Sequence, residues 1–267
     1  DLSYNRVIKN SERIYRLEYP SQAGNGRWEY YWNRQFPDLL TSVCPEVEVS
    51  GSLRIDVYMS QRDWSLKRNA AIENITLEIA AAEPEGLKVF PFEFIDGGIE
   101  EFHVGDAIVL SESVAKRHNL AVGDKIYYGR GAKREDAYRT LVGIYKDFPK
   151  PSSIAYVDGW FCLDEQEFCS ENQWNDPYYI RLQEGASVEK VEGVMLECVK
   201  EYLRTAGFTE EDIATEIKSS TPRLNPIGNL YYAEDVDPEK YHGSRTTTYT
   251  LIAIAVLILV ISFINFV

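Results

Sequence analysis

The chain has 267 residues and is acidic, because 42 Asp and Glu residues against 28 Lys and Arg residues give a formal net charge of −14. This balance argues against a nucleic-acid partner, since phosphate binding needs a clustered basic face and the sequence offers only short basic turns, such as Arg130, Lys133 and Arg134. About 248 residues precede Tyr249, which is enough to bury a substantial core or to form two lobes.

The opening of the chain is predicted to follow a β-α-β-β order. Residues 12–19, 47–59 and 72–80 alternate apolar and polar side chains, as strands with one buried face do. Residues 27–43 carry large apolar residues at mostly helical spacing and predict a helix, which Pro37 either kinks or restarts.

Residues 86–149 are predicted to form a small inserted lobe. Ser111 can cap a short helix that runs to His118, and a strand is expected at residues 125–128. A glycine-containing turn at residues 129–131 then leads to another strand at residues 138–145.

The second half of the chain is predicted to return to the β-α-β pattern. Strands are expected at residues 154–163, 178–182 and 214–218, with a long amphipathic helix at residues 187–206. A proline-bearing segment, residues 221–232, leads towards the C-terminal end. Two related halves flanking an insertion indicate an α+β architecture with connected lobes.

Residues 250–267, TLIAIAVLILVISFINFV, contain no charge and no proline. Eighteen helical residues rise about 27 Å, close to the thickness of a bilayer core, and predict a membrane helix rather than a buried core helix. The chain starts at Asp1 and no basic cluster follows Val267, which indicates an excerpt from a longer polypeptide.

The cysteines do not predict a metal site. Cys44, Cys162, Cys169 and Cys198 show no paired Cys/His spacing, and Cys198 lies on the apolar stripe of the predicted long helix, where a small core residue is expected. The seven-residue spacing of Cys162 and Cys169 permits a disulfide in an extracytoplasmic domain but does not require one.

The chemistry of known active sites is not found in the sequence. There is no phosphate-binding G-x-x-x-x-G-K-[ST] loop, no G-x-S-x-G and no H-E-x-x-H, and His103, His118 and His242 are scattered. Asp235 and Asp237 lack calcium-loop spacing and fit a solvated acidic turn better. We predict no catalytic residue, no cofactor and no metal site; the alternative of a membrane-anchored enzyme would need a polar site that the sequence does not reveal.

Five segments of the chain occur in an order and at a spacing that are typical of one protein family. They are VFPFEFIDGG (89–98), AIVLSESVAKRHNLAVGDKI (107–126), LVGIYKDFPKPSS (141–153), LNPIGNLYY (224–232) and YTLIAIAVLILVISFINFV (249–267). Together they resemble the MacB-like periplasmic core domain followed by the start of an FtsX-like permease domain. A further stretch, CPEVEVSG at residues 44–51, resembles the early PEVE segment of that family.

The resemblance implies the extracytoplasmic domain of an ABC transporter permease of the mechanotransmission type. A porter-like lobe is expected from residues 1–85 and 151–245, a Sabre-like inserted lobe from residues 86–150, and a truncated transmembrane helix from residues 246–267. Residues 1–245 would lie on the periplasmic side of a bacterial inner membrane. The chain departs from many relatives at HNLAVGDKI, so the specificity of better-known relatives is not transferred.

The implied partners are an ATP-binding cassette ATPase, on the same or a separate chain, a second permease half in a homodimer or pseudo-dimer, and a periplasmic adaptor or lipoprotein. Residues 2–10 are a candidate stalk that continues an upstream membrane helix. The alternative reading is an FtsX-like regulatory permease domain that activates a cell-wall hydrolase or a signalling partner.

Overall fold

A mixed sheet, with thirteen strands in the described part of the chain, organises the fold. The computed structural model describes residues 3–21, 23, 26–55, 60–68, 71–103, 105–129, 137–163, 176–218, 221–236 and 242–266. The strands are β1 (Ile14–Pro20), β2 (Trp28–Glu29), β3 (Tyr31–Trp32), β4 (Val47–Arg54), β5 (Ser60–Arg68), β6 (Ala71–Ala82), β7 (Phe94–Gly97), β8 (Ala107–Ser111), β9 (Lys125–Tyr128), β10 (Tyr138–Tyr145), β11 (Gly159–Cys162), β12 (Asp176–Leu182) and β13 (Arg223–Pro226).

The helices are distributed along the whole chain. Two short 3₁₀ helices, Ser11–Arg13 and Ile154–Tyr156, supplement them. The α-helices are α1 (Gln35–Val43), α2 (Pro84–Val89), α3 (Glu112–His118), α4 (Val188–Thr205), α5 (Glu210–Glu216), α6 (Ile227–Leu230) and α7 (Arg245–Phe266).

Strand β4 connects two halves of the sheet. Its first part pairs with β12 in antiparallel register, whereas Leu53 and Arg54 pair with Ala82 and Ala81 of β6. The main path runs β11-β8-β10-β9-β5-β6-β4-β12-β1-β13. The first half therefore contains β1, β4, β12 and β13, and the second half is built mainly from β5 to β11.

The first half has its own apolar core beneath α1 and α4. Helix α4 buries Val191, Met195 and Cys198, which lie three or four residues apart and so share one face of the helix. They pack in one cluster with Trp32 and Leu40. The Ser187 side chain accepts a hydrogen bond from the Lys190 amide and fixes the start of α4.

The second half encloses a separate cluster that includes Trp64, Leu77, Ile108 and Val114. Helix α3 covers this side of the sheet and ends at Asn119, whose φ of 49° allows the chain to leave the helix in a left-handed conformation. The predicted helix after Ser111 and the strands at residues 125–128 and 138–145 are confirmed.

The two halves are fastened at a contact between α2 and β4, which we call the seam. A Cβ atom added to Gly86 would overlap the Ser52 carbonyl oxygen, so only glycine lets the helix approach the strand this closely. A buried ion pair between Arg54 and Asp176 lies at the same boundary. The seam thus rests on close backbone packing of α2 against β4, and the ion pair links β4 to β12 within the first half.

Two sequence-based assignments are wrong in detail. Residues 214–218 do not form a strand, because α5 occupies most of this segment and Thr209 and Asp212 form a reciprocal capping box at its start. The helix expected from residue 27 begins only at Gln35, and residues 28–32 contain β2 and β3 instead. Asn33 accepts the Phe36 amide hydrogen bond with its side chain and sets this later start.

Other differences concern strands. The strand expected at residues 154–163 is a 3₁₀ helix followed by β11, and β5, β7 and β8 were not predicted. Strand β5 pairs with β9 through Trp64, Ser65 and Leu66, so it lies beside the segment that the sequence analysis treats as inserted.

Helix α7 has no buried residue within its most apolar window, whose mean hydropathy is 2.5. Its 22 residues span about 33 Å. Among the described residues it is the one helix that is long and apolar enough to cross a membrane. The mixed α/β architecture and the C-terminal apolar helix agree with the sequence analysis.

Candidate functional site

Three distant parts of the chain meet beside the start of α7, and we call this meeting point the helix junction. It consists of residues 3–8, residues 151–153, and residues 227–232 with residues 243–245. The sequence analysis expects residues 2–10 to continue a helix. The described residues 3–10 instead form turns, with Asn5 and Asn10 both at a φ of 60°.

Asn5 is the central side chain of the helix junction. Its Nδ2 donates to the Ile227 carbonyl oxygen at 3.1 Å, and its Oδ1 accepts from the Ser153 amide at 2.8 Å and the Ser153 hydroxyl at 3.1 Å. The Asn5 amide also donates to the Pro151 carbonyl oxygen at 3.0 Å. Since Asn5 is only 2% exposed, these bonds replace lost contacts with water and fix all three segments.

Ring and backbone contacts extend the junction towards α7. Tyr4 stacks on Tyr231 with ring centroids 4.1 Å apart. The Gly243 amide donates to the Tyr231 carbonyl oxygen at 2.7 Å, two residues before α7 begins. Thus Tyr231 contacts both the N-terminal segment and the segment that enters the apolar helix.

The helix junction is joined to the sheet with few intervening residues. The N-terminal segment enters β1 through a 3₁₀ helix, and β13 leads directly into α6. Strands β1 and β13 pair in antiparallel register from Tyr15 opposite Pro226 to Glu18 opposite Arg223. A displacement of the junction therefore acts on two paired strands at the edge of the sheet.

A buried ion cluster holds these two strands together. Glu18 is fully buried and accepts from Arg16 at 2.6 Å and from Arg223 at 2.7 Å. Arg223 also contacts Asp235 at 2.9 Å. Burial opposes ionisation of Asp235, but the neighbouring Arg223 outweighs it and keeps the pKa of Asp235 below its ordinary value. The cluster extends the polar network from β1 to the turn that precedes α7.

The histidines do not converge. His118 ends α3 and lies 3.8 Å from Glu73, whereas the His103 ring nitrogen Nδ1 lies 2.6 Å from the Glu100 carbonyl oxygen. His242 is exposed near the helix junction. No group of three or more His, Cys, Asp or Glu residues that could hold a metal occurs in the described part of the chain.

The structure also locates most of the aspartates and cysteines that the sequence analysis considers. Asp235 pairs with Arg223, and Asp237 lies outside the described residues. Cys44, Cys162 and Cys198 are buried. Since Cys169 lies outside the described residues, its pairing with Cys162 stays a prediction.

Sequence reasoning did not single out Asn5 or its partners. The side-chain bonds of Asn5 connect residues 148 and 222 positions apart, and such distant contacts leave no periodic pattern. The available signals were weaker: an asparagine in a short polar segment, and the LNPIGNLYY stretch that supplies Ile227 and Tyr231.

The chain is similar to known proteins in sequence and in fold. Residues 3–196 match the family model of the MacB-like periplasmic core domain. A domain of a predicted permease protein from Porphyromonas gingivalis superposes with a TM-score of 0.63 at 19% identity, covering 87% of this chain and 96% of that one. The periplasmic region of MacB from Actinobacillus actinomycetemcomitans gives a TM-score of 0.51 at 10% identity, covering 84% and 92%. No curated protein shows significant similarity to the chain.

Proposed function

Because the chain belongs to the family of MacB-like periplasmic core domains, we propose that it is the non-catalytic extracytoplasmic domain of an ABC transporter permease. It couples cytoplasmic ATP hydrolysis to mechanical movement outside the membrane, for export or for the handling of lipoproteins or peptides. In this role the domain performs no bond-breaking chemistry.

The observation that carries the proposal is the helix junction. Asn5 binds the N-terminal segment to the segment that leads into α7, and both segments continue directly into the paired strands β1 and β13. An upstream membrane helix and α7 would therefore act on one edge of the sheet. Movement of these helices would shift the sheet rather than be absorbed by a loose linker.

The same proposal includes location and architecture. Helix α7 spans a bacterial cell membrane, and residues 1–245 lie on the periplasmic side. The first half of the sheet forms the porter-like lobe. The inserted lobe is centred on residues 86–150, and the pairing of β5 with β9 supports including β5 in it.

The proposed partners follow from this role. An ATP-binding cassette ATPase, fused or separate, supplies the energy. A second permease half completes the membrane unit, and a periplasmic adaptor or lipoprotein is contacted outside the membrane.

Flexible insertions test mechanical coupling. Gly/Ser segments of about six residues placed between Leu2 and Ser3 and between Ser244 and Arg245, outside the contacts of the helix junction, would let the membrane helices move without driving the sheet. We expect transport-dependent resistance or secretion to fall while ATP hydrolysis by the complex persists. The matched control carries the same insertion after Gly185, an exposed turn residue with a φ of 77°, and should retain function. Full function with both junction insertions present would reject the coupling role.

A further inference from the structure

A polar cavity of about 470 Å³ lies beside the start of α7. Its wall comes from β13, from α6 and the turn after it, and from the first residue of α7. Its volume falls in the range of small-ligand sites. The polar residues of the wall are Arg223, Asn225, Asn229, Glu234, Asp235 and Arg245.

Two opposite charges in this wall have no ion-pair partner among the residues that the structure describes. Arg223 is already paired with Glu18 and Asp235. Glu234, in contrast, contacts the Ser244 hydroxyl at 3.3 Å, and Arg245 lies over the Tyr232 ring at 5.8 Å. Neither Glu234 nor Arg245 forms an ion pair with any residue that the structure describes. The cavity thus offers one cationic and one anionic group to a ligand.

The cavity also has a defined position relative to the apolar helix. Arg245 is the first residue of α7, and the continuous apolar run starts at Leu251. Six helical residues rise about 9 Å. If α7 spans a bilayer, Arg245 and the cavity lie at the level of the lipid headgroups, just outside the hydrocarbon layer.

We propose that this cavity binds the phosphoethanolamine headgroup of a membrane phospholipid. The guanidinium of Arg245 contacts the phosphate, since an arginine can donate two parallel hydrogen bonds to phosphate oxygens. The carboxylate of Glu234 contacts the primary ammonium group. The acyl chains of the lipid then lie along the apolar surface of α7. This inference needs α7 to lie in a membrane, but it does not depend on the coupling role.

Lipid binding to the full chain tests the proposal. The chain is reconstituted in phosphatidylcholine nanodiscs that also contain equal amounts of phosphatidylethanolamine and phosphatidylglycerol, and retained lipids are measured by native mass spectrometry. Choline cannot donate a hydrogen bond to Glu234, and phosphatidylglycerol has no ammonium group. We therefore expect retention of phosphatidylethanolamine to exceed that of each of the other two lipids by about tenfold. A ratio of this size corresponds to the free energy of about one charge-assisted hydrogen bond.

Two variants in the cavity test which residue contacts the ammonium group and which contacts the phosphate. Glu234→Gln should remove the preference for phosphatidylethanolamine over phosphatidylglycerol, and Arg245→Gln should weaken retention of both. Glu85→Gln and Lys88→Gln alter an exposed ion pair on α2 and are the matched controls, expected to behave as the unmodified chain. Melting temperatures of all four variants show whether they fold.

The competing outcomes are distinct. Equal retention of the three lipids by the unmodified chain, or variants in the cavity that behave like the α2 controls, would overturn the proposal. Glycerophosphoethanolamine should compete with the lipid, whereas inorganic phosphate should compete weakly. Tight binding of inorganic phosphate without lipid retention would assign the cavity to a free anion and reject the lipid headgroup.

Discussion

Asn5 combines deep burial, a left-handed backbone and a side chain whose donor and acceptor are both used. Asparagine tolerates a positive φ better than most residues, so the backbone alone could explain its presence. Asn10 provides a comparison within the same segment, because it has the same φ of 60°. No hydrogen bond of its side chain to another described residue is found. Comparing variants at the two positions therefore separates the contribution of the Asn5 side-chain hydrogen bonds from that of the backbone conformation.

Asn5→Ala should therefore lower the free energy of unfolding by about 2–3 kcal/mol more than Asn10→Ala does. Both variants place alanine at a positive φ, but only the first leaves the Ile227 carbonyl and the Ser153 amide without their partner. Urea unfolding of the chain in detergent micelles measures the difference. Equal losses for the two variants would show that the Asn5 side chain does not hold the junction.

Glu83, which precedes α2 at the seam, is expected to make the free energy of unfolding depend on pH. Burial raises the pKa of Glu83 above its ordinary value of 4.5, although hydrogen bonds from the Ser52 amide and the Tyr178 hydroxyl favour the ionised form. With a raised pKa, the folded state holds the proton more tightly than the unfolded state. The free energy of unfolding should therefore fall as the pH rises from 4.5 through the raised pKa.

Glu83→Gln should remove this contribution, so that the free energy of unfolding declines less steeply over the same pH range. Urea unfolding at a series of pH values measures the slope, and Glu85→Gln, on the exposed side of α2, is the matched control. A slope that is unchanged in Glu83→Gln would contradict the assignment.

Among the elements, α2 and α4 each contain a helical glycine, with opposite surroundings. A Cβ on Gly86 would overlap the Ser52 carbonyl oxygen, whereas a Cβ on Gly193 would meet no atom within 4 Å. Gly193→Ala should raise the free energy of unfolding by about 0.5–1 kcal/mol, because alanine loses less backbone entropy in a helix. Gly86→Ala should lower it by about 1–3 kcal/mol or more, because β4 and α2 must separate. Urea unfolding of both variants checks the signs, and a stabilised Gly86→Ala would disprove close packing at the seam.

The sequence predicts an element well when the interactions that form it join residues close together in the chain. The period of Val191, Met195 and Cys198 was sufficient to predict α4. The segment of α5 resembles a strand in sequence, because its β-branched residues alternate over a short run, and the capping box at Thr209 is the local signal for a helix. The helix junction could not be predicted, since its bonds join segments that only the completed sheet brings together.

In the whole molecule, the surface of the sheet and its helices differs in chemical character from the surface of α7. The sheet and its covering helices belong to a chain with a formal net charge of −14, whereas the apolar window of α7 is entirely unburied. Such a helix exposes its side chains at high cost to water, and a bilayer removes that cost. In the proposed arrangement, with α7 in a bilayer, the sheet lies on one side of a membrane surface that begins near Arg245.

Cysteine labelling in cells that produce the full-length protein tests this orientation. Glu184 is exposed in a turn of the first half of the sheet, and Glu184→Cys provides the reporter in a Cys169→Ser background, because the three other cysteines are buried. We expect a membrane-impermeant maleimide to label the reporter equally in intact and lysed cells, since a periplasmic sheet is accessible without crossing the inner membrane. A cysteine inserted just after Val267, on the far side of α7, is the control and should react only after lysis. A Glu184→Cys reporter that reacts only after lysis would place the sheet in the cytoplasm and reject the orientation.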